Sequence, residues 1–335
     1  MINFKTTVEL PSDTFKISHS DTLLSFGSCF SENIGIRLIR AKFHCDVNPF
    51  GILYNPFSIA SALNDLFHAR IYKKEDWEIF QSGEQWHSFM HHSRFSANQV
   101  DECLSTINRR LQQATHALQH ADCLLLTWGT AHVYQLSENN RIVANCHKLP
   151  ERMFTHKLVS VEDIVSVYRP LIKKLLSIRP SLQILFTVSP IRHAKDGFHA
   201  NQISKSVLLI AIEQLCNLFP CCHYFPSYEI LMDELRDYRF YADDMLHPSE
   251  LAVEYIWERF CQTYFLPETL QVMKECTSIA QALEHRPFNP ESLQYKNFLT
   301  QIVLKIKRLT EKYSTLDFEK ELELCHTRLK QFPIR

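Results

Sequence analysis

The 335 residues carry 36 Lys plus Arg against 37 Asp plus Glu, a formal net charge of -1, which excludes a protein whose overall field gathers nucleic acid or an anionic membrane surface. Hydrophobic residues make up 45% and charged residues 22%, the balance of a packed globular chain of one large or two ordinary domains. Eleven cysteines, an odd number scattered without a C-x-x-C pair, point to reduced thiols used as small core hydrophobes, not to a disulfide framework or a zinc site. Met1–Lys5 does not open a basic-then-apolar leader and no run approaches ~20 apolar residues, so a cytoplasmic protein that neither crosses nor binds a membrane is expected.

Leu23–Phe26 reads as a strand and Asn33–Phe43 as a helix, which puts Ser28 on the turn between them. A second short strand, Phe43–Val47, ends at Asn48-Pro49-Phe50-Gly51; with only six glycines in the chain, Gly51 marks a place where backbone conformation or close approach matters. Phe57–His68 places Ile59, Ala60, Leu63 and Leu66 on one helical face. Trp77–Ser96 reads as a hairpin turning at Gln81–Glu84 and holding His87, His91 and His92. A helical His87/His91 pair has ligand spacing, but the Glu of H-E-x-x-H is missing and no further cluster completes a site. No metal or other cofactor is therefore expected, and the stretch is a polar hairpin or a substrate-facing insertion.

Val100–His120 reads as a helix, and Cys123–Trp128, nearly all apolar, as a strand buried on both faces of a parallel sheet. Gly129-Thr130-Ala131 follows. Val133–Leu136 and Arg141–Ala144 are strands around the Glu138–Asn140 turn and lead to Asn145-Cys146-His147-Lys148, where Asn145 and His147 are either pocket residues or turn and surface residues. Ser160-Val161-Glu162-Asp163 starts a helix in the manner of a capping box; it runs to Ile178, bent at Pro170. The strand Leu182–Val188 delivers Ser189-Pro190-Ile191-Arg192-His193 to its carboxyl end, where open α/β sheets bind ligands. There Arg192 holds an anionic substrate group or joins a scaffold ion pair, and His193 donates to substrate or, near Asp196, rivals other histidines as a base.

Asn201–Leu218 is an amphipathic helix, Cys222–Phe225 a short strand, Tyr228–Leu235 a short helix and Ser249–Phe265 a further helix. The alternation predicts a three-layer α/β/α sandwich around a mostly parallel sheet over residues 1–267. From 268 to 335 Glu, Lys, Gln and Leu dominate, with a break at Arg286–Pro290. The stripe Leu299, Ile302, Val303, Ile306 and Leu309 marks a helical extension, packed on the main domain or across a homo-oligomer. Lys305–Arg308 sits among acidic residues and is not read as a nucleic-acid site.

Two stretches carry chemistry. Ser28 near a helix N-terminus is either an N-cap or a nucleophile whose developing charge meets unpaired N–H groups. Asp244 and His247, three apart in Asp244-Met245-Leu246-His247, can form the carboxylate–imidazole pair that a serine nucleophile needs. Cys29, beside the helix start, is the alternative nucleophile.

In order, Gly27-Ser28-Cys29-Phe30, followed by Ser31, resembles the motif that names the GSCFA family, with Ser31 where the name has Ala. The resemblance continues through Asn48–Pro56, Gly129–Ala131, Asn145–Lys148, Ser189–His193 and Asp244–His247. That family looks related to the SGNH/GDSL-type esterases, and the resemblance implies Ser28, His247 and Asp244 as the triad of a carboxyl-ester hydrolase without a cofactor. It implies a small acyl group such as acetyl, with a carbohydrate as the alcohol, and an oxyanion hole built from the Ser28 N–H and a backbone N–H at Gly51. Where many SGNH enzymes place an Asn donor this chain has Ala131, leaving the N–H of Thr130 or Ala131, or the side chain of Asn145, as substitutes. An acyltransferase using the same residues and a binding protein with the chemistry lost are the rival readings.

Overall fold

Thr22–Gly27 (β1), Cys123–Trp128 (β5) and Gln183–Val188 (β9) are almost wholly buried runs, a pattern that needs cover on both faces. In the computed structural model, which describes residues 6–12, 14–284 and 287–330, they form the centre of a five-stranded sheet. His44–Val47 (β2) and Cys222–Phe225 (β10) are its edges, in the order β10-β9-β5-β1-β2. The β1–β5, β5–β9 and β9–β10 pairings are parallel, with Leu24, Leu124 and Ile184 in one row. Counted along this sheet the winding is 2-1-3-4-5, so the chain changes direction between β1 and β5, the point at which such sheets bind ligands. Helices cover the sheet as a three-layer α/β/α arrangement: α1 (Cys29–Arg40), α2 (Pro56–Phe67), α3 (Val100–His120), α4 (Val161–Ile178), α5 (Phe198–Leu218), the single turn α6 (Ser227–Glu229) and α7 (Glu250–Tyr264).

Local chemistry explains most boundaries. Asn55 Oδ1 accepts the Ser58 N–H with Pro56 opening α2, and Ser160 and Asp163 form a reciprocal capping box for α4. Helix α1 starts directly after Ser28, not at Asn33, because the Ser28 hydroxyl accepts the Phe30 N–H and Glu32 sits in the first turn. The expected helix at Tyr228–Leu235 is instead the turn α6 continued by a wide i+5 turn, closed by Leu235 N–H on Ile230 O.

Two small antiparallel sheets flank the carboxyl edge. Ile79–Ser82 (β3) and Gln85–Ser88 (β4) form the expected hairpin. His87 therefore lies on a strand and not one helical turn from His91; His87 Nδ1 bonds Ser96 Oγ and His91 Nδ1 bonds Ser88 Oγ. His132–Leu136 (β6) and Ile142–Val143 (β7) pair as expected, and Phe154–Leu158 (β8) joins β6 as a third strand. Sequence reading misses β8 because Thr155, His156 and Lys157 are polar in succession and exposed, without apolar alternation.

The strand-to-helix turn of Gly27-Ser28 is sterically closed. Gly27 has φ +154°, and a Cβ there would lie 2.5 Å from Thr127 O and 2.6 Å from Thr127 Cβ. We expect Gly27→Ala to cost about 1–3 kcal/mol by overpacking, read as a lower urea midpoint with an unchanged m-value; a midpoint equal to wild type would show that β1 and β5 are not in this contact.

The chain forms two compact units. One comprises the N-terminal residues to Phe15, Thr22–Gly35 and Cys45–Thr263; the other comprises Lys16–Asp21, Ile36–His44 and the residues from Tyr264 onward. The second unit thus begins just before the expected division at 267 and takes in two earlier segments: Ile17 N–H donates to Tyr264 O, and Phe43 stacks on Phe265. Its helices are α8 (Pro267–Glu284), α9 (Leu293–Lys312) and α10 (Glu319–Leu329). The apolar stripe of α9 packs inside this unit, against Val272, Cys276 and Ile279 of α8 and against Phe318 and Cys325. Met1–Lys5 and the Arg286 of the expected break lie outside the described residues. Among the described residues no helix is long and apolar enough to cross a membrane.

Candidate active site

Ser28 follows β1, Gly129 follows β5 and Ser189 follows β9, so the three adjacent strands deliver them to one edge of the sheet at the reversal of winding. Ser28, Asn55, Asn145, Arg192, His193 and His247 line a single cleft of about 820 Å³ there. Ser28 itself is buried; its hydroxyl donates to Ser189 Oγ at 3.1 Å and accepts the Phe30 N–H at 3.3 Å. With its one proton on Ser189, the resting hydroxyl is not donating to His247.

His247 and Asp244 form a tight pair, His247 Nδ1 to Asp244 Oδ2 at 2.5 Å. The other carboxylate oxygen accepts the N–H groups of Leu246 and His247, both at 2.9 Å. These backbone donors, then the imidazole, hold the Asp244 pKa down to about 2. An ionised Asp244 places the imidazole proton on Nδ1 and leaves the Nε2 lone pair as the basic face. The turn is tied to the neighbouring loop by Arg192 N–H on Leu246 O at 3.2 Å.

Three of the expected backbone oxyanion donors, at Gly51, Thr130 and Ala131, are already committed. The Gly51 N–H donates to Asn48 O at 2.8 Å, and Gly51 has φ +83° with a Cβ site 2.2 Å from His92 Cβ. It is therefore a turn and close-packing glycine with no N–H to offer. The Gly129 and Thr130 N–H groups both donate to Tyr54 O, at 2.7 and 3.0 Å, and Ala131 N–H donates to Ser204 Oγ at 2.7 Å. Thr130 therefore reaches the cleft through its side chain alone. The amide side chains fare better: Asn145 Oδ1 accepts His147 N–H, and Asn55 Oδ1 accepts Ser58 N–H, so each oxygen is fixed and the NH₂ remains to serve the cleft.

His147 is not among the cleft residues. Its Nε2 bonds Ser88 O at 2.8 Å and its ring lies against His87 and Phe80, held there by the β3–β4 hairpin. Arg192 does line the cleft, and among the described residues no carboxylate pairs with it: one terminal nitrogen faces Met232 Sδ, the guanidinium lies 5.3 Å from the Phe198 ring centroid, and Nε is buried without a partner. His193 is positioned by Asn201 Oδ1 on its N–H, and burial, followed by the charge of Lys205, lowers its pKa to about 4. It is neutral at ordinary pH and a weaker base than an unperturbed imidazole. Burial raises the Cys29 thiol, the direction opposite to that of a reactive thiolate.

Lys205 is a site residue that the sequence analysis does not single out. It is 1% exposed, and its ammonium donates to Gly129 O at 2.6 Å and Ser189 O at 2.7 Å, which ties the ends of β5 and β9 together. Burial, then the charge of Arg192, pushes its pKa down to about 7. The signal was present: Asn201, Ser204 and Lys205 head the same buried stripe that continues as Leu208, Ala211, Ile212 and Leu215, and a polar start to an otherwise apolar stripe marks side chains facing something polar inside.

The sequence pattern of the GSCFA family matches residues 22–260, and that of the GSCFA domain protein C-terminal domain matches residues 276–331. Among curated proteins, none matches the chain.

Proposed function

The chain belongs to the GSCFA family, and we propose that it is a serine hydrolase of carboxyl esters, related to the SGNH/GDSL-type enzymes, with Ser28 as nucleophile, His247 as base and Asp244 as the group that orients His247. The observation that carries this reading is the 2.5 Å Asp244–His247 pair opening onto the same cleft as Ser28, at the winding reversal of the sheet. Rotation of the Ser28 hydroxyl from Ser189 toward His247 Nε2 starts the reaction; such bonds commonly tighten only with substrate bound. Ser28 Oγ then attacks the acyl carbon while its proton passes to Nε2, and the imidazolium is stabilised by Asp244. Collapse of the tetrahedral intermediate expels the alcohol, which takes that proton, and water enters by the reverse path to free the acid and regenerate Ser28.

The oxyanion is met by N–H groups at the start of α1 and by the amides of Asn55 and Asn145. Arg192, which pairs with no carboxylate among the described residues, favours substrates with an anionic or strongly polar group. A small acyl such as acetyl, on a carbohydrate, remains the proposed substrate class, and the odd, scattered set of eleven thiols supports a cytoplasmic setting. A transferase would use the same acyl-enzyme and pass the acyl group to a second alcohol.

A fluorophosphonate probe tests the nucleophile directly. Labelling of the folded protein that maps to Ser28 and vanishes in Ser28→Ala is the expected result. The committed amides at Gly51, Gly129, Thr130 and Ala131 favour the rival reading, a binding protein on an esterase-like fold; absence of labelling in folded wild type, together with no turnover of 4-nitrophenyl acetate, would establish that rival.

A further inference from the structure

Three side chains brought together from separate elements remain without a role in this chemistry. His132 opens β6, His156 lies on β8, and Asp196 ends the short turn Ala194–Asp196 after β9. In the β6–β8 ladder Tyr134 faces His156 and His132 faces Leu158, so the two histidines are diagonal neighbours on one face of the sheet; their rings stack at 4.7 Å. Asp196 caps this pair from the adjoining loop. Its Oδ2 lies 3.5 Å from His132 Nδ1 and its Oδ1 lies 3.8 Å from His156 Nε2. Donor atoms of all three residues fall within 4.8 Å of one another.

These distances are too long for hydrogen bonds. They are close to the separation of two ligands that share one ion: with metal–ligand bonds of about 2.0–2.1 Å, neighbouring donors of a tetrahedron stand about 3.3–3.4 Å apart. The carboxylate is otherwise unserved. Its side chain is only 16% exposed, and among the described residues nothing donates a hydrogen bond to it, an arrangement that is costly for a charge drawn out of water unless a cation answers it. Thr130 Oγ1 approaches His132 Nδ1 only at 3.4 Å and has a shorter contact, 3.0 Å, with Ser204 Oγ. Tyr134 stacks on His156 and fixes its plane. All three ligands line the cleft that holds Ser28.

We propose that His132, His156 and Asp196 bind one divalent first-row transition ion of the Zn²⁺ class, with its open coordination positions facing the cleft. Two imidazoles and one carboxylate are the nitrogen and oxygen donors that such ions take, and three protein ligands leave room for water or a substrate oxygen. The site shares the cleft with Ser28, takes no part in the proposed hydrolysis, and is tested without it. No sequence pattern discloses it, because the ligands lie on two strands and a later loop instead of at fixed short spacing.

The test is titration of tag-free protein with Co²⁺, followed by its visible ligand-field absorption, and with Zn²⁺ by calorimetry. Wild type is expected to saturate at one equivalent. Asp196→Asn and His132→Ala are each expected to lose more than the about 10–100-fold in affinity that an outer-shell change costs. His156→Ala, at the most exposed ligand, provides the same reading if either of the others fails the circular-dichroism check for folding. The exposed pair His116 and His120, one turn apart on α3 with rings tilted against each other, is the natural competitor, and the double variant His116→Ala/His120→Ala is expected to keep the equivalent. The proposal is overturned if wild type takes up no Co²⁺ or Zn²⁺, if Asp196→Asn binds like wild type, or if the α3 double variant loses the ion.

Discussion

Replacing His247 by alanine is expected to lower kcat/KM for 4-nitrophenyl acetate by about 10³–10⁴-fold or more, and Ser28→Ala by at least as much, in proteins that remain folded. Both residues are asked to act in one step, the transfer of the Ser28 proton as the Oγ–carbon bond forms. Removing one therefore strands the other, and the Ser28→Ala/His247→Ala double variant is expected to be no slower than the worse single variant. Two independent contributions would multiply instead, and a multiplicative loss would show that His247 serves some step other than activation of Ser28. Asp244→Asn discriminates further. It keeps the side chain's shape but substitutes an amide for a carboxylate whose Oδ2 sits on His247 Nδ1 and whose Oδ1 holds the turn. The expected outcome is a large loss of kcat with substrate binding retained, because the imidazole then favours the wrong tautomer for accepting a proton at Nε2.

The second large effect concerns stability and pH. Lys205 has a folded pKa of about 7, well below the ~10.4 of an unfolded lysine. Below pH 7 both states carry the proton, and the folded state bears the full cost of a buried ammonium that meets two carbonyls and, among the described residues, no carboxylate. Between about pH 7 and 10.4 the unfolded chain holds the proton while the folded chain has released it, so this group makes stability rise with pH. Integrated across the window the gain is on the order of 4 kcal/mol. The neutral amine keeps two N–H donors, which match its two acceptors, Gly129 O and Ser189 O. Urea unfolding of wild type and Lys205→Met at pH 6 and pH 9.5 checks this. The stability difference between the two proteins is expected to move in favour of wild type on going to alkaline pH. At that pH Lys205→Met also leaves two buried carbonyls unpaired, at about 1–3 kcal/mol each. A difference that does not change with pH would mean that Lys205 keeps its proton throughout.

Much of this architecture is legible in the chain because one-dimensional patterns determine it. Cys123–Trp128 can only be a strand covered on both faces, Val100–His120 repeats its apolar residues at helical spacing, and Ser160 with Asp163 announces the start of α4; all three stand as expected. Legibility stops where a residue's partner is distant or where a residue has two uses for one group. Gly51 and Thr130 look like spare amides in sequence, yet Asn48 O and Tyr54 O already take their protons. His147 sits next to Asn145, but its positive φ of 49° and its bond to Ser88 turn it to the hairpin side. Strand β8 is held by its ladder with β6 and not by its own side chains, so nothing in Phe154–Leu158 alone calls for it. Lys205 was hidden by the ordinary expectation that a lysine in an amphipathic helix belongs outside.

The Asp244–His247 turn has a consequence for how the site comes into being. Apart from the Arg192 N–H on Leu246 O, its bonds are short in sequence: Asp244 to Leu246 and His247, Met245 N–H to Ala242 O, and Ala242 N–H to His247 O. Ser28, the proposed nucleophile, is secured in the opposite manner, by a hydroxyl contact spanning 161 positions to Ser189. Closing so long a loop waits on assembly of the sheet, whereas a six-residue turn needs only itself. If Asp244 and His247 act as proposed, their pairing rests on a turn that can form locally, and the seating of Ser28 against Ser189 is expected to follow assembly of the sheet. A low-field imidazole proton signal should consequently outlive enzymatic turnover as denaturant is raised.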